Sequence, residues 1–279
     1  MLSSHLRPAG EPLAPLHDEA FIRSSTDRLF VHSWMPRRDA RAALVVVHDF
    51  NSHAGYYERF ALYLAERGVV VHALDLRGHG KSAGRRLDVG DFSQYLDDIG
   101  ALMNSDRVRQ PVLPLFMLGH GTGGVAVSLY ALVRQPDLAG LICASIALDL
   151  PASATLFGWV RALALIAPRL PVQGAPARTV AALIRARDRL RSSLTRLSLP
   201  LLVLHGSADT VTLPSGSEHM HECSVSSDKT LQIFEDYYHD LINDQGHEQV
   251  VERILQWMEE RLNPQHRNQI GIAYINADT

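Results

Sequence analysis

The 279-residue chain is 46% hydrophobic and 20% charged, with 27 basic and 30 acidic side chains and a formal net charge of −3. This balance suits one or two folded domains and excludes disordered or collagen-like polymers and any global attraction to nucleic acid or acidic membranes. Cys143 and Cys223 are the only cysteines. They lack the spacing of a disulfide framework or a zinc site and fit a reducing compartment, so a cytoplasmic location is expected.

Residues 1–18 read as a flexible arm, because Arg7, Pro8, Gly10, Glu11 and Pro12 interrupt the apolar run that an export signal needs. Phe21 to Arg23 and Leu29 to Trp34, flanking Ser24-Ser25-Thr26-Asp27, predict an antiparallel hairpin. Apolar runs follow at 43–47, 69–74, 113–118, 140–144 and 201–204, and stretches such as Leu44-Val45-Val46-Val47 are apolar on both faces. They predict strands of a mostly parallel sheet with helices on both faces. Helix-period segments at 56–67, 92–103, 124–134 and 248–262 supply the crossovers; in the first, Tyr57, Phe60, Ala61 and Leu64 form one stripe. The α/β core is therefore placed at 19–150 and 200–262.

Residues 151–199 break the alternation with two successive helical stretches, 154–167 and 177–194, and read as a short helical cap inserted over the sheet. The insertion holds eight arginines against one acid, Asp188. That pattern suits a solvated helix face or recognition of an anionic substrate or headgroup. Its most apolar run, Leu156 to Ala167, contains Arg161 and ends at Pro168, too short for a membrane span, so no stable membrane insertion is expected. In the tail at 263–279, Ile270, Ile272 and Tyr274 alternate at strand period. Pairing with a second subunit to form a homo-oligomer and absence of fixed structure both remain open.

Five local signatures carry the chemistry. Val46-Val47-His48-Asp49-Phe50 follows the first strand of the parallel set, and Asp75-Leu76-Arg77-Gly78-His79-Gly80-Lys81-Ser82 follows the next. Leu118-Gly119-His120-Gly121-Thr122-Gly123-Gly124 lies between a strand and a helix, the setting of a nucleophile elbow. Further on come Leu204-His205-Gly206-Ser207-Ala208-Asp209 and Tyr237-Tyr238-His239-Asp240. The glycine run at 119–124 lacks the Lys-Ser/Thr ending of a phosphate loop and has no acidic residue about 20 positions on to hold a ribose. No cofactor and no metal are expected.

In this order, and with Asn51-Ser52-His53-Ala54-Gly55-Tyr56-Tyr57 and Ser227-Asp228-Lys229-Thr230-Leu231, the signatures resemble the monoacylglycerol lipase and lysophospholipase-like family of α/β-hydrolases, within the serine aminopeptidase-like group. The resemblance runs from about Phe21 to Leu262. It implies an α/β-hydrolase fold and a Ser–His–Asp site under a helical cap, acting on esters of fatty acids or glycerol. Asp209 and His239 match the acid and the base, and the backbone N–H groups of Phe50 and Thr122 match the oxyanion hole.

Three departures from the family pattern follow. Gly121 stands where the family carries its serine, leaving the nucleophile position vacant, and Asp49 stands where it has glycine. The cap is also short. An ionised Asp49 about 4 Å from a developing oxyanion would oppose it by roughly 4 kcal/mol at an effective dielectric of 20, as much as one oxyanion-hole donor supplies. Turned away, Asp49 would serve only its own loop. Cys143, Ser145, His79 and His120 read as structural.

The expected function is non-covalent acid/base chemistry by His239 and Asp209, with Asp49, on a small acyl or ester-like ligand: a lyase, cyclase, isomerase or direct-water reaction. The alternatives are a catalytically silent ligand-binding protein and an ester hydrolase whose serine has been replaced by Gly121.

Overall fold

The computed structural model describes residues 14–24, 27–109, 113–151, 165, 171–172 and 174–263. Eight strands form one sheet in the order β1-β2-β4-β3-β5-β6-β9-β10. β1 (Leu16–Arg23) and β2 (Arg28–Met35) make the antiparallel hairpin, and β2 joins β4 (Val69–Leu74) antiparallel. β4, β3 (Ala42–Val47), β5 (Leu115–His120), β6 (Gly140–Ala144), β9 (Leu201–Gly206) and β10 (Lys229–Phe234) run parallel. β7 (Pro171–Val172) and β8 (Ala175–Pro176) form a separate two-stranded ribbon.

Every residue of β3, β4, β6 and β9 is buried, as strands covered on both faces require. Val45, Val47, Met117 and Cys143 face the layer that holds α2 (Ser93–Met103) and α3 (Thr122–Arg134), against Ile99, Leu102 and Val127. Leu44, Val46 and Leu118 face α1 (Glu58–Glu66) and the C-terminal helix, against Phe60, Leu64, Ile254 and Trp257. The period of two along each strand thus divides one run of valines and leucines between two cores.

The sequence reading places the central strands well and misses elements that lack an apolar signature. β10 alternates Lys229, Thr230 and Gln232 with apolar residues and is half-exposed along most of its length. α5 (Pro214–Cys223) buries only Gly216, Ser217 and Met220, too few for a readable stripe. β1 starts at Leu16, so 16–18 belong to the hairpin rather than the arm: Leu16, His17 and Asp18 pair with Met35, Trp34 and Ser33. The fifth strand lies two residues further along than expected, at Leu115–His120. Of the cap, α4 (Ala177–Arg191) is present and buries Ala186 and Leu190 in the α2/α3 core. The expected helix at 154–167 lies largely outside the described residues, as do most of the arm and the tail. No described helix is long and apolar enough to cross a membrane. α6 (His247–Leu262) closes the chain's described part.

Parallel strands bring the loops after β3, β5, β9 and β10 to one edge of the sheet, where such folds bind ligands. The glycines of the elbow let these loops close together: a Cβ on Gly123 would run into the backbone carbonyls of Val47 and His48. Gly123→Ala should therefore lower stability by about 1–3 kcal/mol, measured by denaturant unfolding. An unchanged midpoint would show that α3 does not press on β3 this closely.

Candidate active site

β5 ends in His120 and the chain turns sharply at Gly121, with φ +53° and ψ −116°, before α3 begins at Thr122. A side chain at this left-handed position is strained, and here it would also meet a neighbour: a Cβ on Gly121 would fall inside the contact distance of the Asp49 carboxylate. Asp49 follows β3 and reaches across to this space. Its Oδ1 accepts from the Thr122 N–H at 2.6 Å, and its Oδ2 lies 3.1 Å from His239 Nε2. The expectation left open for Asp49 is thus decided: the carboxylate is turned inward.

The expected oxyanion hole is changed accordingly. The Thr122 N–H, which the resemblance assigns to an oxyanion, is already engaged by Asp49. The Phe50 N–H makes no hydrogen bond among the described residues. Thr122 opens α3, so Asp49 also rests on the positive end of that helix, an arrangement that favours an ionised carboxylate.

On the other side of His239, Nδ1 lies 2.8 Å from Asp209 Oδ2. Asp209 is almost fully buried and receives the N–H groups of Val211 and Thr212, the Thr212 hydroxyl, and His205 Nε2 at 3.1 Å. The backbone carbonyl of His239 accepts from Ser145 Oγ at 2.8 Å and from His120 Nε2 at 3.1 Å, while Tyr57 hydroxyl lies 3.0 Å from His120 Nδ1. His120 and Ser145 are therefore positioning groups, in keeping with the structural role expected of them. Thr212, His205 and Tyr57 are further supports; His205 and Tyr57 lie inside motifs quoted above that assign them no role, and Thr212 lies outside them.

The loop that bears Asp49 is fastened to the Asp75–Ser82 loop. Leu76 N–H donates to His48 Nε2 at 3.1 Å, which leaves His48 Nδ1 to donate to the Asp49 carbonyl at 2.7 Å. Burial pulls His48 down to about 4, so it stays neutral in this role. Asp75 accepts from the Ala54 and Lys81 N–H groups, both at 2.7 Å, tying the two loops together. His79 is buried and bonds the Arg77 carbonyl at 3.0 Å; Arg77 itself pairs with the fully buried Asp98. Cys143 is buried, and burial pushes its thiol up to about 12, which rules it out as a nucleophile at neutral pH.

Both nitrogens of His239 face carboxylate oxygens, and only a doubly protonated ring donates to both. Burial opposes that charge, but the hydrogen bonds and negative charges of Asp209 and Asp49 prevail and push His239 up to about 10. Burial likewise works to raise Asp49 and Asp209. At Asp49 the bond from His239, the nearby His120 and His239 rings and the Thr122 N–H together outweigh it; bonds from His205 and His239 help hold Asp209 far below the usual carboxylate range. At neutral pH the site is an imidazolium between two carboxylates. That state cannot take a proton from a hydroxyl, as the histidine of a serine triad must.

The family model described as serine aminopeptidase, S33, matches residues 38–176 and 168–246. The chain belongs to this family. Among its curated relatives, the monoglyceride lipase of Homo sapiens is 31% identical over 247 residues, covering 78% of this chain and 82% of that protein. The monoacylglycerol lipase of Mycolicibacterium smegmatis is 27% identical over 259 residues, covering 83% and 92%. A crystal structure of Paleococcus ferrophilus monoacylglycerol lipase superposes with a TM-score of 0.75 at 24% identity, covering 84% of this chain and 99% of that one. The family membership and the sheet order together make the fold that of an α/β-hydrolase.

Two outcomes are expected from the site's packing and charge. Gly121→Ser alone should be destabilised, by the strain of about 1–3 kcal/mol that such a backbone imposes and by collision with Asp49. Asp49→Gly added to it should recover the part of the loss that comes from the collision, read in a thermal unfolding assay; a single variant as stable as the parent would contradict the packing. His239, raised from an ordinary imidazole value of about 6.5 to about 10, contributes stability that is complete below the lower value and is lost as pH rises through the upper one. Unfolding free energies between pH 7 and 10.5 should fall more steeply for the parent than for His239→Gln, and parallel curves would overturn the assignment.

Proposed function

We propose that this member of the serine aminopeptidase-like family performs proton-transfer chemistry on a small ester or acyl-derived molecule without an acyl-enzyme intermediate. The observation that carries the reading is the position of Asp49: its carboxylate fills the space above Gly121, engages the Thr122 N–H and pairs with His239. A nucleophilic hydroxyl is missing from the elbow, and one of the two expected oxyanion donors is taken. An acid and a base remain, 3.1 Å apart, with 16% and 19% of their side-chain surfaces open to solvent.

The empty pair is too well matched to exchange protons readily, because a catalytic acid and base work best with values near the operating pH. A polar ligand group that inserts between Asp49 and His239 weakens their bond. His239 then falls and Asp49 rises, each toward the range where proton transfer is efficient. In this arrangement Asp49 takes a proton from a substrate carbon, hydroxyl or attacking water, while His239 Nε2 gives one to the departing or developing oxygen. Asp209 stays ionised and holds the ring. Ester hydrolysis by directly activated water is one such reaction; elimination and isomerisation are others.

The lipase-like alternative and the silent ligand-binding alternative are separated from this reading by one set of variants. The parent should resist labelling by a fluorophosphonate, which needs an activated serine, while Asp49→Gly with Gly121→Ser should be labelled and should hydrolyse monoacylglycerols with burst kinetics. A screen of monoacylglycerols and other small esters, read by mass spectrometry, should reveal turnover by the parent that falls at least 10²-fold in Asp49→Asn and in His239→Gln. Turnover insensitive to Asp49→Asn would sink the proton-transfer reading. Ligand binding by calorimetry with no product would favour silent binding.

A further inference from the structure

A second cluster of metal-binding side chains lies on the β1–β2 hairpin, apart from the residues of the candidate active site. In the hairpin register Glu19 is opposite His32 and His17 is opposite Trp34. Side chains directly across an antiparallel pair, and those two apart along a strand, share a face, so all four stand together. His17 Nε2 is 3.1 Å from His32 Nδ1, and Glu19 Oε1 is 3.4 Å from the same nitrogen. One donor atom from each of the three residues lies within 4.8 Å of the others. A tetrahedral zinc ion with bonds of about 2.0–2.2 Å sets neighbouring ligand atoms about 3.3–3.6 Å apart. Two edges of such a coordination sphere are therefore nearly in place.

The hairpin also holds one ligand firmly and leaves two adjustable. His32 is 7% exposed, lies parallel to the buried Trp34 ring at 5.3 Å, and is met edge-on by Phe30 at 5.0 Å. His17 and Glu19 are exposed; the His17 ring lies parallel to Trp34 at 4.9 Å and can slide along that face, and Glu19 can turn, over the short distance that convergence on an ion requires. The two rings now share a hydrogen bond, and binding exchanges it for two metal–nitrogen bonds after one ring shifts its proton to its far nitrogen.

We propose that His17, Glu19 and His32 form a binding site for a divalent transition-metal ion of the zinc class, with its remaining position open to water. Two imidazoles and one carboxylate suit zinc, cobalt or nickel, whereas calcium and magnesium call for all-oxygen sets. Lys81 is the competing cation: its Nζ lies 3.0 Å from Glu19 Oε2, so the ion enters against one nearby positive charge.

The test is titration of the full chain with zinc chloride by calorimetry and with cobalt chloride by visible absorption, where tetrahedral cobalt gives an intense band. One equivalent should bind with a dissociation constant on the order of micromolar. His17→Ala and Glu19→Gln, both at exposed positions, should each weaken binding at least 10-fold and remove the cobalt band, while circular dichroism stays unchanged. Lys81→Met, which removes the opposing charge, should tighten zinc binding several-fold; a merely structural hydrogen-bonded cluster offers no reason for that. Isotherms that superimpose for the parent, His17→Ala and Glu19→Gln would overturn the proposal, as would zinc binding weakened by Lys81→Met.

Discussion

The carboxylate of Asp49, held between the first N–H of α3 and the imidazole of His239, is the contact on which the rest of the site depends. It requires that position 121 carry no side chain, because a Cβ there would occupy the same space. It requires a donor at the helix start, which the sharp turn at Gly121 presents. It also sets the charge on His239, since an imidazole between two carboxylates retains both protons. Glycine at 121 and aspartate at 49 are thus two halves of one arrangement. Each makes room for, or fills the room left by, the other.

The supporting framework lies deeper than this contact. Asp209 is held by four donors besides His239, His120 and Ser145 fix the His239 carbonyl, and His48 and Asp75 fasten the loop after β3. A loop held this tightly cannot place Asp49 at will; the side chain emerges where the backbone N–H of an oxyanion hole would otherwise face. Rigid support from buried hydrogen bonds is what makes this mostly buried carboxylate a defined part of the site rather than a mobile charge.

Much of this was legible in the order of residues. The doubly apolar runs of β3, β4 and β9 announced a covered parallel sheet, and the motifs around Asp209 and His239 named two side chains that the fold brings within 2.8 Å of each other. β10 and α5 escaped because edge strands and half-buried helices carry weak apolar periodicity. The direction of the Asp49 side chain was illegible for a different reason. It depends on the absent Cβ of Gly121, 72 positions away in the chain but adjacent in space, and on a helix N–H that no local pattern around Asp49 contains. His17, Glu19 and His32 likewise belong to separate strands, and only the hairpin register sets them side by side.

The central claim is that Asp49 keeps His239 as an imidazolium, and ring nitrogen chemical shifts measure this directly. Long-range proton–nitrogen correlation spectra across pH 6 to 10.5, with His239→Gln for assignment, should show both His239 nitrogens protonated until the pH approaches 10. In Asp49→Asn the midpoint should fall toward the ordinary imidazole range, because one of the two carboxylates that sustain the charge is gone. A parent His239 that titrates near about 6.5, or a midpoint that Asp49→Asn leaves in place, would contradict the account.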